Sequence, residues 1–436
     1  MFERCPERYV NMMAVSWFVE GKRLRVAVVQ RLDEWGEYNI DELKELCRSV
    51  GYEPVYSLVQ RRPPHPKYQI GPGKVEELRK AVERLEVEKV VFENDLKPVQ
   101  EYNLAKALSV PVVSRTQLIL ETFARRAASS EAKLQIKLAE LRYELSRAKE
   151  KVRLAKRGEQ PGFHGLGAYE ADVYYNEVFR RISVIKEKLK ALRMRKTITR
   201  KRRSETGIPS VALTGYTNAG KTTLFNLLAG ENSPAGPQLF TTLSTTSRIV
   251  SFNGRKAYLS DTVGFIRNLP HLLVESFHST LSEFIYADLL LLVVDVSESV
   301  DDIRLKLDTC LNVLDEVGVK NVPILLVFNK IDLCTDYGSK IEKLSPDHEY
   351  VAISAARNIN LDALREKVAN LMGGYVRLRA SLANEGSTAK LIDEINNLCN
   401  VLKIEYRVDS VEVDVEAPVE LAEKIRNAAA EFHVVQ

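Results

Sequence analysis

Residues 208–230 read IPSVALTGYTNAGKTTLFNLLAG, and this stretch decides the fold. An apolar run at 209–214 reads as a strand. The loop Gly215-Tyr216-Thr217-Asn218-Ala219-Gly220-Lys221-Thr222-Thr223 follows, and then a helical pattern. G-x-x-x-x-G-K-T between a strand and a helix is a phosphate-binding loop in the context it requires. Two glycines let the backbone wrap tightly, so that successive N–H groups point at a β-phosphate. The helix after the loop adds its positive end. Lys221 is expected to place its charge between β- and γ-phosphates, and Thr222 to offer a hydroxyl to Mg²⁺. A glycine-bearing turn with no ligand is the bland alternative, and the downstream motifs argue against it.

The run SRIVSFNGRKAYLSDTVG (247–264) is two alternating segments joined by Asn253-Gly254, a type I′ hairpin signature. Asp261 closes the second segment, where a carboxylate facing a metal should sit. Gly264 can swing its N–H onto a γ-phosphate, which makes it a candidate catalytic position together with Lys221. The next residue, where many GTPases use a glutamine to orient water, is Phe265. Slow unaided hydrolysis is therefore expected.

Base choice rests on ILLVFNKIDL (324–333). Asp332 supplies a carboxylate for guanine N1–H and N2–H₂, Lys330 can cover the ring with its stem, and Asn329 can tie this loop to the phosphate loop. Adenine would set its N1 acceptor against Asp332, leaving a charge unpaired. Farther on, Ser354-Ala355-Ala356 offers backbone N–H groups to guanine O6. GTP is favoured over ATP. Between the phosphate loop and the hairpin, PQLFTTLSTTSR (237–248) is an effector-loop candidate in which one threonine should meet Mg²⁺ and the γ-phosphate.

Around this core, the chain of 436 residues suggests two to three domains by length alone. Alternating strands and helices make residues 24–130 a small α/β domain with a parallel sheet. Residues 131–203 carry heptad-spaced apolar positions, from Leu134 to Ala155 and from Tyr175 to Leu192, on either side of a connection with four glycines. An antiparallel helical hairpin with a Gly-rich tip is the simplest reading. Residues 204–372 form the GTP-binding domain, and 373–436 a small α+β unit with a βαββα pattern. The extension 1–23 gives no usable pattern. The fold class is α/β throughout its two larger domains.

Charge is unevenly placed. Residues 131–203 hold 21 Lys+Arg against 9 Asp+Glu, while the rest of the chain holds 42 against 50. A basic segment on a mildly acidic body suggests a polyanion partner, although a solvated helical arm is the plainer alternative. No apolar run approaches the roughly 18–20 residues of a membrane helix, and the N-terminus lacks a signal-peptide core. Membrane insertion is not expected. Five scattered cysteines fit reduced thiols in the cytoplasm. Residues 71–74, GPGK before a helix, read either as a phosphate cradle or, more simply, as a capped helix start.

Taken together, GYTNAGKTTLFN, LFTTLSTTSR, DTVGFIRNLP and VFNKID resemble the motifs of the HflX-type ribosome-associated GTPases, a group of translation-factor-related P-loop GTPases. GPGKVEEL, DLKPVQEYNLAKAL and SRTQLILETFARRA are similar to that family's N-terminal domain, and the similarity runs from about residue 24 to 372. The resemblance implies that Thr242 is the switch threonine, a metal ligand with Thr222 and Asp261. It implies a GTP/GDP-cycling factor on the large ribosomal subunit that touches rRNA and splits subunits or prevents their association; a monomer is expected. Asn218 occupies a position similar to the K⁺-coordinating asparagine of cation-dependent GTPases; hydrogen bonding within its own loop is the alternative. Residues 165–182 depart from the family pattern, which weakens contacts inferred from that stretch. Two other classes stay open: an RNA-binding scaffold with GTP as a mainly structural ligand, and a GTPase of RNA modification.

Overall fold

The computed structural model describes residues 23–34, 38–156, 168–204, 206–230, 246–262, 264–267, 270, 283–345, 347–383 and 388–435. The chain divides into two units, Met1–Leu118 and Ile119–Gln436, with the division inside the helix Arg115–Arg126.

In the first unit, strands β1 (Leu24–Leu32), β2 (Tyr52–Arg61), β3 (Lys89–Phe92) and β4 (Val112–Ser114) pair in the order β2-β1-β3-β4, all parallel. The near-continuous apolar reading of β1 suits a strand covered on both faces, and Val26–Val29 are fully buried. Helix Ile40–Ser49 buries Ile40, Leu43, Leu46 and Cys47, the spacing of one helical stripe. Gly71 donates its N–H to Gln60 Oε1 at 2.8 Å and precedes a helix that starts with Pro72. Where β3 and β4 end, buried Arg115 lies 2.9 Å from Glu42 and 3.4 Å from Glu93. Burial pushes the Glu93 carboxyl up to about 7, against the pull of Arg115.

After the rest of the helix Arg115–Arg126, the second unit continues with two long helices, Ser130–Lys156 and Ala168–Ser204. Leu138, Leu141, Val178, Ile182 and Leu189 are buried against one another, with Leu134, Leu145 and Ile185 at the margin. These are the expected heptad positions. The connection 157–167 lies outside the described residues.

Six strands form the central sheet: β5 (Ser210–Gly215), β6 (Thr246–Phe252), β7 (Arg255–Asp261), β8 (Leu289–Asp295), β9 (Ile324–Asn329) and β10 (Tyr350–Ala352). Their order is β10-β9-β8-β5-β7-β6, and only β6 runs antiparallel. β5 therefore lies in the interior with its carboxyl end at the phosphate loop. The β6–β7 turn has positive φ at both Asn253 (48°) and Gly254 (87°), as a type I′ turn demands.

The C-terminal sheet comprises β11 (Tyr375–Ala383), β12 (Asn400–Tyr406), β13 (Ser410–Pro418) and β14 (Ala429–Val434), antiparallel in the order β12-β13-β11-β14. The sequence pattern gave βαββα; the structure adds β14, because the last helix stops at Ala428 and Ala429–Val434 pairs with β11. This unit grips the β6–β7 turn. Arg255 donates twice to Glu416 at 3.0 Å and once to Ala369 O at 2.8 Å. The Tyr375 hydroxyl accepts from Lys256 N at 2.9 Å and donates to Lys256 O at 2.6 Å. A Cβ at Gly254 would strike the side chain of Asn400.

Candidate nucleotide site

β5 delivers the phosphate loop between β7 and β8, and close approach fixes both of its glycines. Gly215 has φ 138°, and a Cβ there would strike the Val293 backbone of β8. Gly220 has φ 95°, and a Cβ there would strike the Asn329 side-chain amide. Asn218 is exposed in the left-handed region at φ 65°, which asparagine tolerates better than most residues. The helix Lys221–Ala229 starts immediately after Gly220 and carries Lys221, Thr222 and Thr223 in its first turn. Lys221 is buried, and its Nζ donates to Tyr216 O at 2.7 Å. Burial pushes its ammonium down to about 8, partly opposed by the Asp261 carboxylate. A phosphate anion beside that nitrogen would favour the charged form.

The expected metal-facing pair is assembled. Thr222 Oγ1 donates to Asp261 Oδ2 at 3.0 Å, and Asp261 is 2% exposed. A hydroxyl and a carboxylate side by side form a hard-oxygen donor set that suits Mg²⁺. Thr242 lies outside the described residues.

At the base end, Asn329 donates to Ala219 O at 2.9 Å and accepts from Ala355 N at 3.0 Å. One side chain thereby links the phosphate loop to the Ser354-Ala355-Ala356 turn. Lys330 sits at φ 68° and pairs with Asp295 at 2.5 Å. Ser354 Oγ donates to Asp332 Oδ1 at 2.6 Å, which aims the carboxylate of an otherwise exposed residue. Sequence reasoning did not single out Asp295. Its signal was its place as the one acid at the end of the buried run of β8.

Phe265 is 1% exposed and packs edge-on against Phe284, with ring centroids 6.0 Å apart. Its main chain is tied to the phosphate loop: Phe265 N donates to Gly215 O at 3.0 Å, and Thr217 N donates to Phe265 O at 2.7 Å. Gly264 is pressed so close that a Cβ would lie 2.6 Å from Lys221 Nζ.

Three family models match the chain. They are described as GTP-binding GTPase N-terminal (residues 37–124), GTP-binding GTPase middle region (126–203) and 50S ribosome-binding GTPase (210–330). The GTPase HflX of Thermofilum pendens is 46% identical over 391 residues, covering 88% of this chain and 92% of that protein. The GTPase HflX of Escherichia coli is 37% identical, covering 70% of this chain and 72% of its own. Among solved structures, a GTP-binding protein from Sulfolobus solfataricus in complex with GDP aligns with 30% identity and a TM-score of 0.45, over 79% of this chain and 98% of that one. With a phosphate loop between β5 and the helix Lys221–Ala229, and with 46% and 37% identity to the HflX GTPases of Thermofilum pendens and Escherichia coli along most of their length, the chain belongs to the HflX family of GTPases.

Proposed function

We propose that this GTPase binds the large ribosomal subunit through rRNA and regulates subunit splitting or association by its GTP/GDP cycle. The carrying observation is the second helix of the basic hairpin, Ala168–Ser204. It exposes Arg180, Lys186, Lys188, Lys190, Arg193 and Arg195, while Val178, Ile182 and Leu189 face the partner helix. Cations along one helix can track phosphates, with affinity that falls steeply with salt. The description "50S ribosome-binding GTPase" for the model over 210–330 supports the same reading. The working form is a cytoplasmic monomer organised as 24–130, 131–203, 204–372 and 373–436, with 1–23 as an extension.

Within the site, the loop amides from Gly215 to Thr223 cradle the phosphates, and Lys221 holds the β/γ bridge. Thr222, Asp261 and Thr242 would hold Mg²⁺, which when bound neutralises phosphate charge. Gly264 senses the γ-phosphate through its N–H. Asn329, Lys330, Asp332, Ser354, Ala355 and Ala356 recognise guanine. Phe265 cannot bond to water, so the ribosome orders the loops around the γ-phosphate. Asn218, which is exposed, would hold K⁺, and the ion would supply positive charge there; replacing K⁺ by Na⁺ should slow turnover, and equal rates would remove that ion from the account.

Sedimentation with ribosomal subunits tests the main claim. With a non-hydrolysable GTP analogue the protein should travel with large subunits more than with GDP, and this should weaken as salt rises. Equal recovery with small subunits, or none with either, would defeat it.

A further inference from the structure

We propose that Asp295 is a positioning residue of the base pocket, whose carboxylate holds the tip of Lys330 so that the lysine stem forms a fixed cover for the guanine ring. The proposal deepens the nucleotide-site reading and rests on Lys330 as that cover.

Asp295 ends β8 in the interior of the sheet, where parallel pairing sets it level with Asn329, the last residue of β9. The following residue continues the tie, as Val296 N donates to Asn329 O at 3.0 Å. The carboxylate is thus carried to the strand end from which Lys330 and Asp332 follow. Its side chain is 11% exposed, and a charge so far withdrawn from water needs partners. Both oxygens have them. Oδ1 accepts from Ser297 N at 3.0 Å and from Ser297 Oγ at 2.6 Å. This local turn sets the rotamer and leaves Oδ2 for the Lys330 ammonium, 2.5 Å away. The segment behind the carboxylate is pinned as well. Lys340 Nζ, from the helix Tyr337–Leu344, donates to Glu298 O at 2.7 Å and to Val296 O at 3.2 Å.

Lys330 is a residue that needs such an anchor. Its φ of 68° is left-handed, a conformation that a residue with a side chain keeps only where its surroundings over-determine it. Its stem is long, and an untethered lysine would surrender much rotamer freedom on covering a base. With the main chain fixing one end and Asp295 the other, that freedom is given up before a nucleotide arrives, which strengthens binding by preorganisation. The two acids of the pocket then have different tasks. Asp332, aimed by Ser354, faces the base edge and chooses the base. Asp295 acts through a methylene stem, which meets the face of any purine alike, and so adds affinity without adding choice.

Asp295→Asn keeps an acceptor for Ser297 and removes the charge that holds Lys330. In equilibrium titrations of the full chain, its Kd for GDP should rise about tenfold, the effect of losing one charged hydrogen bond. The Kd for inosine diphosphate should rise by the same factor to within about twofold. Lys330→Met keeps a stem without the ammonium and should weaken GDP at least as much. Combined in one chain, the two losses should not add: in the Lys330→Met background, Asp295→Asn should shift the Kd by less than about twofold. Additive losses would mean that Asp295 supports the strand end rather than Lys330, and would overturn the proposal. So would wild-type GDP binding by Asp295→Asn, or a loss confined to one of the two bases. Lys330→Ala, run alongside, tests the underlying reading: if it binds GDP like wild type, Lys330 does not cover the ring and that reading fails first. Should Asp295→Asn not fold, Lys330→Met alone decides, since wild-type GDP affinity in that variant would show that the tether does nothing.

Discussion

The side-chain amide of Asn329 donates to the main-chain carbonyl of Ala219 at 2.9 Å, so the residue that ends β9 braces the phosphate loop. Its carbonyl oxygen also accepts from Ala355 N. Asn329→Ala leaves a buried carbonyl and a buried N–H without their partner, each costing about 1–3 kcal/mol. Both GDP and GTP should lose at least about tenfold in affinity, since both depend on the joined loops. Isothermal titration would read this, and a loss confined to one nucleotide would contradict the bracing role.

Asp332→Asn exchanges an acceptor pair for one acceptor and one donor. The Ser354 hydroxyl that aims this carboxylate at 2.6 Å stays in place. GTP affinity should fall by about 10³-fold or more, because buried donors on guanine lose a charged partner. Affinity for xanthosine triphosphate should rise. Unchanged GTP binding would reject Asp332 as the guanine reader.

Phe265→Gln should not restore an autonomous catalyst. The ring is fully buried against Phe284, so an amide in that socket would lack partners and cost about 2–4 kcal/mol. A lower melting temperature with no gain in unaided turnover is expected, and large ribosomal subunits should raise kcat of the wild type at least about tenfold. A faster, stable variant would show that residue 265 alone limits hydrolysis.

Arg255 and Glu416 make a two-bond ion pair between the β6–β7 turn and the C-terminal sheet, with the side chains 27% and 19% exposed. Arg255→Ala should cost about 2 kcal/mol, and Arg255→Lys nearly as much, because lysine cannot reproduce the forked geometry. Arg255 holds the Glu416 carboxyl below the usual carboxylate range. Its contribution is therefore present at neutral pH and is lost as pH falls through that lowered value. Thermal melts of the two variants between pH 3 and 7 would converge on wild type at the acid end.

Glu93 has the opposite sign. Burial raises its carboxyl to about 7, so the folded chain holds a proton there that the unfolded chain has already released. Stability should fall as pH rises from about 4.5 to 7, by up to about 3 kcal/mol, and Glu93→Gln should flatten that slope. A variant whose stability keeps the wild-type pH profile would show that Arg115 neutralises Glu93 in the folded state.

Much of this was legible in the sequence because it is local. The phosphate loop, the type I′ turn at Asn253-Gly254 and the heptad stripe from Leu134 to Leu189 each depend on short-range spacing. The pairing of Thr222 with Asp261 was legible for another reason: both motifs end at the same edge of the sheet. What could not be read is long-range. Arg255 and Glu416 are 161 residues apart, and neither lies in a motif. Asp295 looked like the end of a strand until Lys330 reached it. The strand β14 was hidden because Ala429–Val434 continues a helical composition and becomes a strand only where β11 offers an edge.

The grip on the β6–β7 turn makes the C-terminal unit a lever. Strand β7 runs from Arg255, in that grip, to Asp261, at the proposed metal position. The span is six residue-to-residue steps, or about 20 Å of extended chain, and a strand paired on both sides stretches little. A load that displaced the C-terminal unit would reach Asp261 as a shift of the carboxylate against Thr222. A partner that never touches the nucleotide would then have a handle on the site through the strand that ends at Asp261.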